Sequence, residues 1–216
     1  ESFIMQKTNF PFEICIGEDE SNDGTRELCI EYANKYPDKI RLFLRRRDDV
    51  ININGRATGR YNLVETLKQC SGKYIAICEG DDYWIDPYKL QKQVDFLESN
   101  SDYGLVHTNC DELHQDTGHI IHNANFKGDD SNQPFLNLLN GTFGIKTLTV
   151  MFRRRLIVKN KILNFLKICN FMYADIVFWL YLSNQTKFHF IAKSTGVNRK
   201  HTGSITNPRA RIHIFH

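Results

Sequence analysis

The chain has 216 residues, 41% hydrophobic and 25% charged, enough for one sizeable core or at most two small ones. Its 28 basic and 25 acidic residues leave a net charge of only +3, which disfavours a dedicated nucleic-acid binder, and 13 glycines with 5 prolines exclude a fibrous or disordered chain. Six cysteines without a CxxC pair lie mostly in apolar runs, which points to a reducing compartment, and no run approaches the roughly 18 to 20 apolar residues of a membrane span.

In chain order, "ESFIMQKTNF" reads as the tail of a helix. "FEICIG" (Phe12 to Gly17) reads as a strand, and "DGTRELCIEYANKYPDK" as a helix whose Leu28, Tyr32 and Ala33 share a face. "IRLFL" is a second strand, followed by the polar loop "RRRDDVININGRATG". The helix "RYNLVETLKQC" leads into the strand "KYIAIC". "DPYKLQKQVDFLESN" has Asp86 as cap, Pro87 in the first turn, and Leu90, Val94 and Leu97 on one stripe. "YGLVHTNC" is again a strand, so the first half alternates in the manner of a parallel α/β sheet.

After Asp111 the pattern is mixed. A hairpin is expected around "QDTG", a strand at "TLTVMFRR", helices at "LIVKNKILNFLKI" and "ADIVFWLYL", and a last strand at "KFHFIAK". Two arginine triplets, Arg45 to Arg47 and Arg153 to Arg155, read as solvated strand ends or as contacts to phosphates or an anionic membrane.

"CEGDDYW" sets Glu79, Asp81 and Asp82 directly after a buried strand, where like charges repel unless a cation belongs there. Hard divalent ions suit such carboxylates, taking their other ligands from water and phosphates. A second acidic loop, "GEDESNDGT", follows the first strand; its calcium-loop spacing fails because Ile30 stands where a bidentate Glu is required. Asp23 and Thr25 suit an Asx-type turn and helix cap. His107, His114, His119 and His122 with Cys110 lack zinc-ligand spacing.

"FEICIGEDESNDGT" followed by "RYNLVETLKQCSGKYIAICEGDDYWIDPYKLQKQVDFLE" resembles the nucleotide-binding half of glycosyltransferase family 2, inverting nucleotide-sugar transferases of GT-A fold. The resemblance covers Pro11 to Cys110. It implies a Rossmann-like, mainly parallel sheet flanked by helices, with a nucleotide-sugar-binding half over 1–110 and a mixed acceptor-binding half over 111–216 of one domain. The family's usual first strand is absent, and residues 1–6 match the end of the helix that follows it.

Carried over by position, Asp19 matches the carboxylate that recognises the base, usually uracil, with Glu18 beside it. Asp81 and Asp82 match the metal and ribose carboxylates, and Asp82 is the first choice for the metal, with Glu79 and His201 as further ligands. Glu18 and Glu79 stand where the family usually has Asp. Arg56 and Arg60 occupy the region of the diphosphate, and Asp175 in "YADIVFWLYL" matches the catalytic base. The resemblance thus implies a metal-dependent (Mn2+ or Mg2+) transferase moving a sugar from a UDP-sugar to a carbohydrate or lipid-linked acceptor in the cytoplasm, in surface polysaccharide or glycan synthesis, without nucleic acid. The segment Leu156 to Ile168, with Lys159, Lys161 and Lys167, offers peripheral membrane contact, against the plainer reading of a core-facing helix with solvated lysines. A metal-dependent nucleotidyltransferase and a non-catalytic, degenerate carbohydrate- or metal-binding module are the alternatives.

Overall fold

The computed structural model describes residues 1–125, 134–140, 144–159 and 161–201. The chain falls into two compact units, each assembled from separated segments. The first holds Glu1–Thr8, Ala76–Phe152 and Thr186–His216; the second holds Asn9–Ile75 and Arg153–Gln185.

In the second unit, β1 (Ile14–Glu18) pairs in parallel with β2 (Ile40–Leu44), in a register that sets Ile14 opposite Ile40 and Glu18 opposite Leu44. Parallel neighbours need a crossover, which α1 (Thr25–Lys35) supplies. The expected apolar stripe on α1 is not buried: the helix has no buried residue, and Leu28 is 54% exposed.

The polar loop after β2 contains a hairpin that the sequence did not announce, β3 (Ile51–Ile53) against β4 (Arg56–Thr58). Its turn is Asn54-Gly55, both at positive φ (49° and 75°), the pair a tight two-residue hairpin requires. Next, α2 (Arg60–Gln69) buries Val64 and Leu67. Helices α5 (Lys161–Ile168) and α6 (Ala174–Ser183) complete the unit. The former turns Ile162, Leu163 and Leu166 inward, and the latter Phe178, Trp179 and Leu182. The helical run expected from Leu156 starts later, because Arg154–Leu156 forms a 3-10 turn.

The first unit is built on two long parallel strands, β7 (Tyr103–His114) and β10 (Lys187–Lys200). Antiparallel partners flank them: β6 (Tyr83–Trp84) on β10, and β9 (Met151–Arg153) and β8 (His119–Ile121) on β7. Sheet pairing is therefore mixed. The hairpin expected around "QDTG" is present, with Gly118 at φ 70° in its turn.

The last strand runs seven residues past the expected Lys193 end, to Lys200, through register shifts between Ile191 and Val197. Gly104 to Cys110 are buried without a break, as befits a strand covered on both faces. The helix α3 (Lys89–Ser99) packs there, and its Gln93 donates to Thr149 O at 2.8 Å.

The start of α3 corrects the sequence reading. Asp86 does not cap the helix directly; it accepts from Tyr88 N at 2.9 Å and from Lys92 Nζ at 2.6 Å, while Gln6 Oε1 accepts from Leu90 N at 3.2 Å. Gln6 also donates to Asp86 O, so residues distant in sequence satisfy the helix's first N–H groups. Residues 2–5 form a turn. Short α4 (Pro134–Leu139), which the sequence reading did not foresee, lies between segments outside the described residues.

Candidate functional site

Behind the short strand β5 (Tyr74–Ala76) the chain enters the acidic loop, and in the first unit the end of β10 grips it. Asp82 is only 8% exposed. Asn198 Nδ2 donates to both of its carboxylate oxygens, at 3.0 and 3.1 Å, and Arg199 N donates to Oδ1 at 2.9 Å. Arg199 Nε additionally donates to Asp81 O. The orientation of Asn198 is set in turn by Lys146, whose Nζ donates to Asn198 Oδ1 at 3.1 Å and to Glu112 Oε2 at 3.2 Å.

Burial raises the Asp82 carboxyl above the ordinary carboxylate range; the Arg199 N–H opposes this and the Asp81 charge adds to it. Burial and the surrounding carboxylates likewise push the Cys78 thiol up. Charge on Asp82 thus depends on the two donors from β10.

With Asp82 committed to these bonds, Asp81 and Glu79 are the carboxylates of the loop that reach solvent. The Asp81 side chain is 46% exposed, and Oδ2 lies 3.6 Å from Nε2 of His201, the residue after β10. Glu79 is exposed.

Among the described residues no group of three or more His, Cys, Asp and Glu side chains comes together as a metal cage. Of the four residues expected as ligands, Asp81 and His201 lie beside each other, while Asp82, the first choice from sequence, is held by Asn198 and Arg199. A pair of this kind fits a hard divalent ion that keeps waters and takes substrate phosphates as its other ligands. Asp82 and Asn198 are bonded to each other through both carboxylate oxygens.

In the second unit the other acidic loop leaves the end of β1. Glu18 is 3% exposed. It accepts from Ser21 N at 2.6 Å, from Glu20 N at 3.1 Å and from Arg26 Nε at 2.5 Å. Burial works against its charge, but those donors outweigh it and hold the carboxyl below its usual range. Glu18, expected at the donor site, thus holds the turn of its own loop and pairs with Arg26. Asp23 does form the expected Asx turn, accepting from Thr25 N at 3.1 Å.

Asp19 is half-buried, and burial raises its carboxyl against the opposing pull of Asn62, Arg45 and Arg47. Asn62 ties this corner together: it donates to Gly17 O at 2.8 Å and accepts from Arg45 Nε at 2.9 Å. Arg45 also donates to Thr66 Oγ1 at 3.1 Å. Glycine at residue 17 leaves room for the α2 side chains: a Cβ there would lie 1.8 Å from Asn62 Oδ1 and 2.4 Å from Thr66 Oγ1, so one of them would have to shift.

Arg60 was expected in the region of the diphosphate. It is 3% exposed, and its guanidinium donates to the carbonyls of Cys169 and Phe171. Its guanidinium is thereby engaged with the α5–α6 connection. Arg56 lies exposed on β4, opposite Ile53. Sequence reasoning missed Arg45, Asn62 and Asn198 as site-forming residues. The only signal for Asn198 was its place in "VNRKH", three residues before His201.

Asp175 sits in the first turn of α6, whose cap position is Tyr173 rather than Asp175 itself. Burial raises its carboxyl, and the N–H groups of Ile176 and Asp175 oppose this only in part. Trp84 is buried, donates Nε1 to Leu148 O at 2.9 Å and meets Phe3 edge-on at 4.7 Å. His107 is buried against Phe190, and burial pulls it down to about 3, while His122 bonds Asp111 at 2.9 Å. These histidines have separate partners.

The family Glycosyl transferase family 2 matches residues 1–159, and the chain belongs to that family. The uncharacterized protein Rv1520 of Mycobacterium tuberculosis is 43% identical over 98 residues, 45% of this chain and 26% of that protein. The Escherichia coli UDP-Glc:alpha-D-GlcNAc-diphosphoundecaprenol beta-1,3-glucosyltransferase WfgD is 29% identical over 101 residues, 46% of this chain and 35% of that protein. The chain thus spans about a quarter to a third of the length of these relatives.

Among solved structures, Staphylococcus aureus TarS 1-349 in complex with UDP-GlcNAc aligns with a TM-score of 0.62 at 19% identity, over 94% of this chain and 54% of that one. That similarity establishes the fold, an α/β GT-A type with a mixed sheet flanked by helices.

Proposed function

We propose that this chain transfers a sugar from a nucleotide diphosphate donor, a UDP-sugar, to a hydroxyl acceptor with inversion at the anomeric carbon, in cytoplasmic polysaccharide or glycan synthesis. The observation that carries the reading is the Asp81–His201 pair at 3.6 Å, set by the clamp of Asn198 and Arg199 on Asp82. Family membership supports sugar transfer, and UDP-sugars in the names of WfgD and of the TarS complex support the donor class.

In this reading Asp19 recognises the base, with Arg45 and Asn62 holding its loop. Asp81 and His201 hold a divalent ion, Mn2+ or Mg2+, which when bound supplies positive charge to the diphosphate. Asp175 accepts the proton of the acceptor hydroxyl as that oxygen attacks the anomeric carbon. The bond from that carbon to the diphosphate breaks, and UDP leaves. A carboxyl raised by desolvation is a stronger base once ionised, which suits Asp175 to this step.

Calorimetric titration with UDP, with and without Mn2+, tests the proposal. Binding that requires the metal and is lost in Asp81→Asn and in His201→Ala supports it. Metal-independent binding, or none, overturns the metal-bridged donor site. Product analysis separates the classes further, since sugar transfer releases UDP and nucleotidyl transfer releases pyrophosphate.

A further inference from the structure

We infer that the outer face of α5 in the second unit, with Val158 before it and Phe171 after it, is a docking surface for a bilayer of anionic lipid. Helix α5 is apolar on two sides. Ile162, Leu163 and Leu166 fill the core, yet Phe165 remains 46% exposed and Ile168 81% exposed on the outer face. Rotating the helix would not cure this, because the inward positions are already occupied.

The outer face continues into the next connection, where Phe171 is 62% exposed, with Val158 at 53% before the helix and Ile176 at 47% after it. Isolated exposed apolar residues are ordinary, but large ones one helical turn apart and then three residues on form a patch that asks for a partner.

The patch is held in place. Arg60, buried under it, donates to the carbonyls of Cys169 and Phe171, and Cys169 N donates to Phe165 O at 2.9 Å. The connection that presents Ile168 and Phe171 is therefore fixed by a buried cation.

Charge identifies the occupant. From Arg153 to Ala174 the sequence has six basic residues and no Asp or Glu. Three of the six are engaged within the unit: Arg153 with Tyr74, Arg154 with Gly72 O, and Lys167 with Glu65. Arg155, Lys159 and Lys161 are exposed beside the apolar face. Apolar side chains fringed by Arg155, Lys159 and Lys161, with the neighbouring Glu65 already paired to Lys68 and Lys167, suit an interfacial element, whose rings and aliphatic chains enter the headgroup boundary while the cations meet anionic headgroups. No helix among the described residues is long and apolar enough to cross a membrane, so the contact is made on the surface.

The test is sedimentation of the full chain with phosphatidylcholine vesicles, with and without roughly a quarter phosphatidylglycerol, as salt is raised. Wild type should pellet with the anionic vesicles and be released by salt. Ile168→Asp with Phe171→Asp, and Lys159→Glu with Lys161→Glu, should each lower binding by about tenfold or more, at roughly fivefold per basic charge removed. Leu28→Asp, an equally accessible site on α1, should leave binding unchanged.

Circular dichroism and melting of each variant confirm that the fold is intact. UDP titration is read separately, so failure of the donor site and failure of the docking surface are distinguishable. Equal binding to neutral vesicles, no binding by wild type, or indifference to the paired variants overturns the inference. So does a wild-type dimer, in the absence of lipid, that the Ile168→Asp with Phe171→Asp change dissociates, since that assigns the face to a second copy.

Discussion

Asn198 donates its side-chain amide to both carboxylate oxygens of Asp82, at 3.0 and 3.1 Å. A buried carboxylate costs free energy unless donors surround it, and here the donors come from a strand more than a hundred residues downstream. The bond therefore makes the position of the acidic loop a property of the sheet.

Replacing Asn198 with Asp, similar in size but negatively charged, removes the donor and sets a like charge beside Asp82. Metal-dependent UDP affinity should fall by about 10- to 100-fold, the range for outer-shell partners of a metal site. Calorimetry with Mn2+ reads the change, and circular dichroism checks the fold. Unaltered affinity would remove Asn198 and Asp82 from the support of the site.

For Asp175→Asn, turnover should fall by roughly 10²- to 10⁴-fold while UDP affinity stays unchanged. The wild-type carboxyl is raised by burial and must be ionised to accept a proton. Its activity should therefore rise with pH through an acidic limb displaced above the ordinary Asp value. A profile of kcat/KM against pH for wild type should show that limb, and an equally fast Asn variant would exclude Asp175 as base.

Arg60→Met separates a structural cation from a phosphate-binding one. Losing the donors to the Cys169 and Phe171 carbonyls should cost about 2–3 kcal/mol in urea unfolding. Under conditions where the variant is folded, UDP affinity should match wild type. Weaker UDP binding at full stability would restore the diphosphate role that the sequence suggested.

Gly17→Ala puts a methyl group 1.8 Å from Asn62 Oδ1, so α2 or the Asn62 side chain must move. A destabilisation of about 1–3 kcal/mol is expected, as for overpacked cores. The same shift should weaken UDP binding, because Asn62 also receives Arg45 beside Asp19. An alanine variant as stable as wild type would show that the contact relaxes freely.

Lys89 is completely buried over Trp84, 4.5 Å from the ring, with Nζ bonded to Gln93 at 2.6 Å. Burial pulls its pKa down from 10.5 to about 7. Between these values the unfolded chain binds the extra proton, so stability should rise as pH climbs from about 7 towards 10.5 and diminish as pH falls back through 7. Unfolding free energies across that window should show the slope in wild type and its loss in Lys89→Met. A slope that persists in Lys89→Met would assign it to another group.

Local chemistry made much of this molecule legible in its sequence. Short apolar runs bounded by polar turns marked β1, β2 and β7, and the Gly-containing turn marked the β7–β8 hairpin. The acidic segments with their flanking pattern marked the family. These features depend on neighbours a few residues apart, so periodicity and turn preference report them.

What the side chains do was decided at long range. Glu18, Asp82 and Arg60 read as ligands because they are charged and well placed in sequence. Tertiary contacts instead bury them among donors and carbonyls supplied by Arg26, Asn198 and the α5–α6 connection. A charge taken from water must be matched by whatever group lies across the fold, and sequence spacing does not specify that group. For the same reason α1 failed to bury its apolar stripe, and Gln6 came to serve the start of α3: a pattern shows which face could be covered, but only packing decides what covers it.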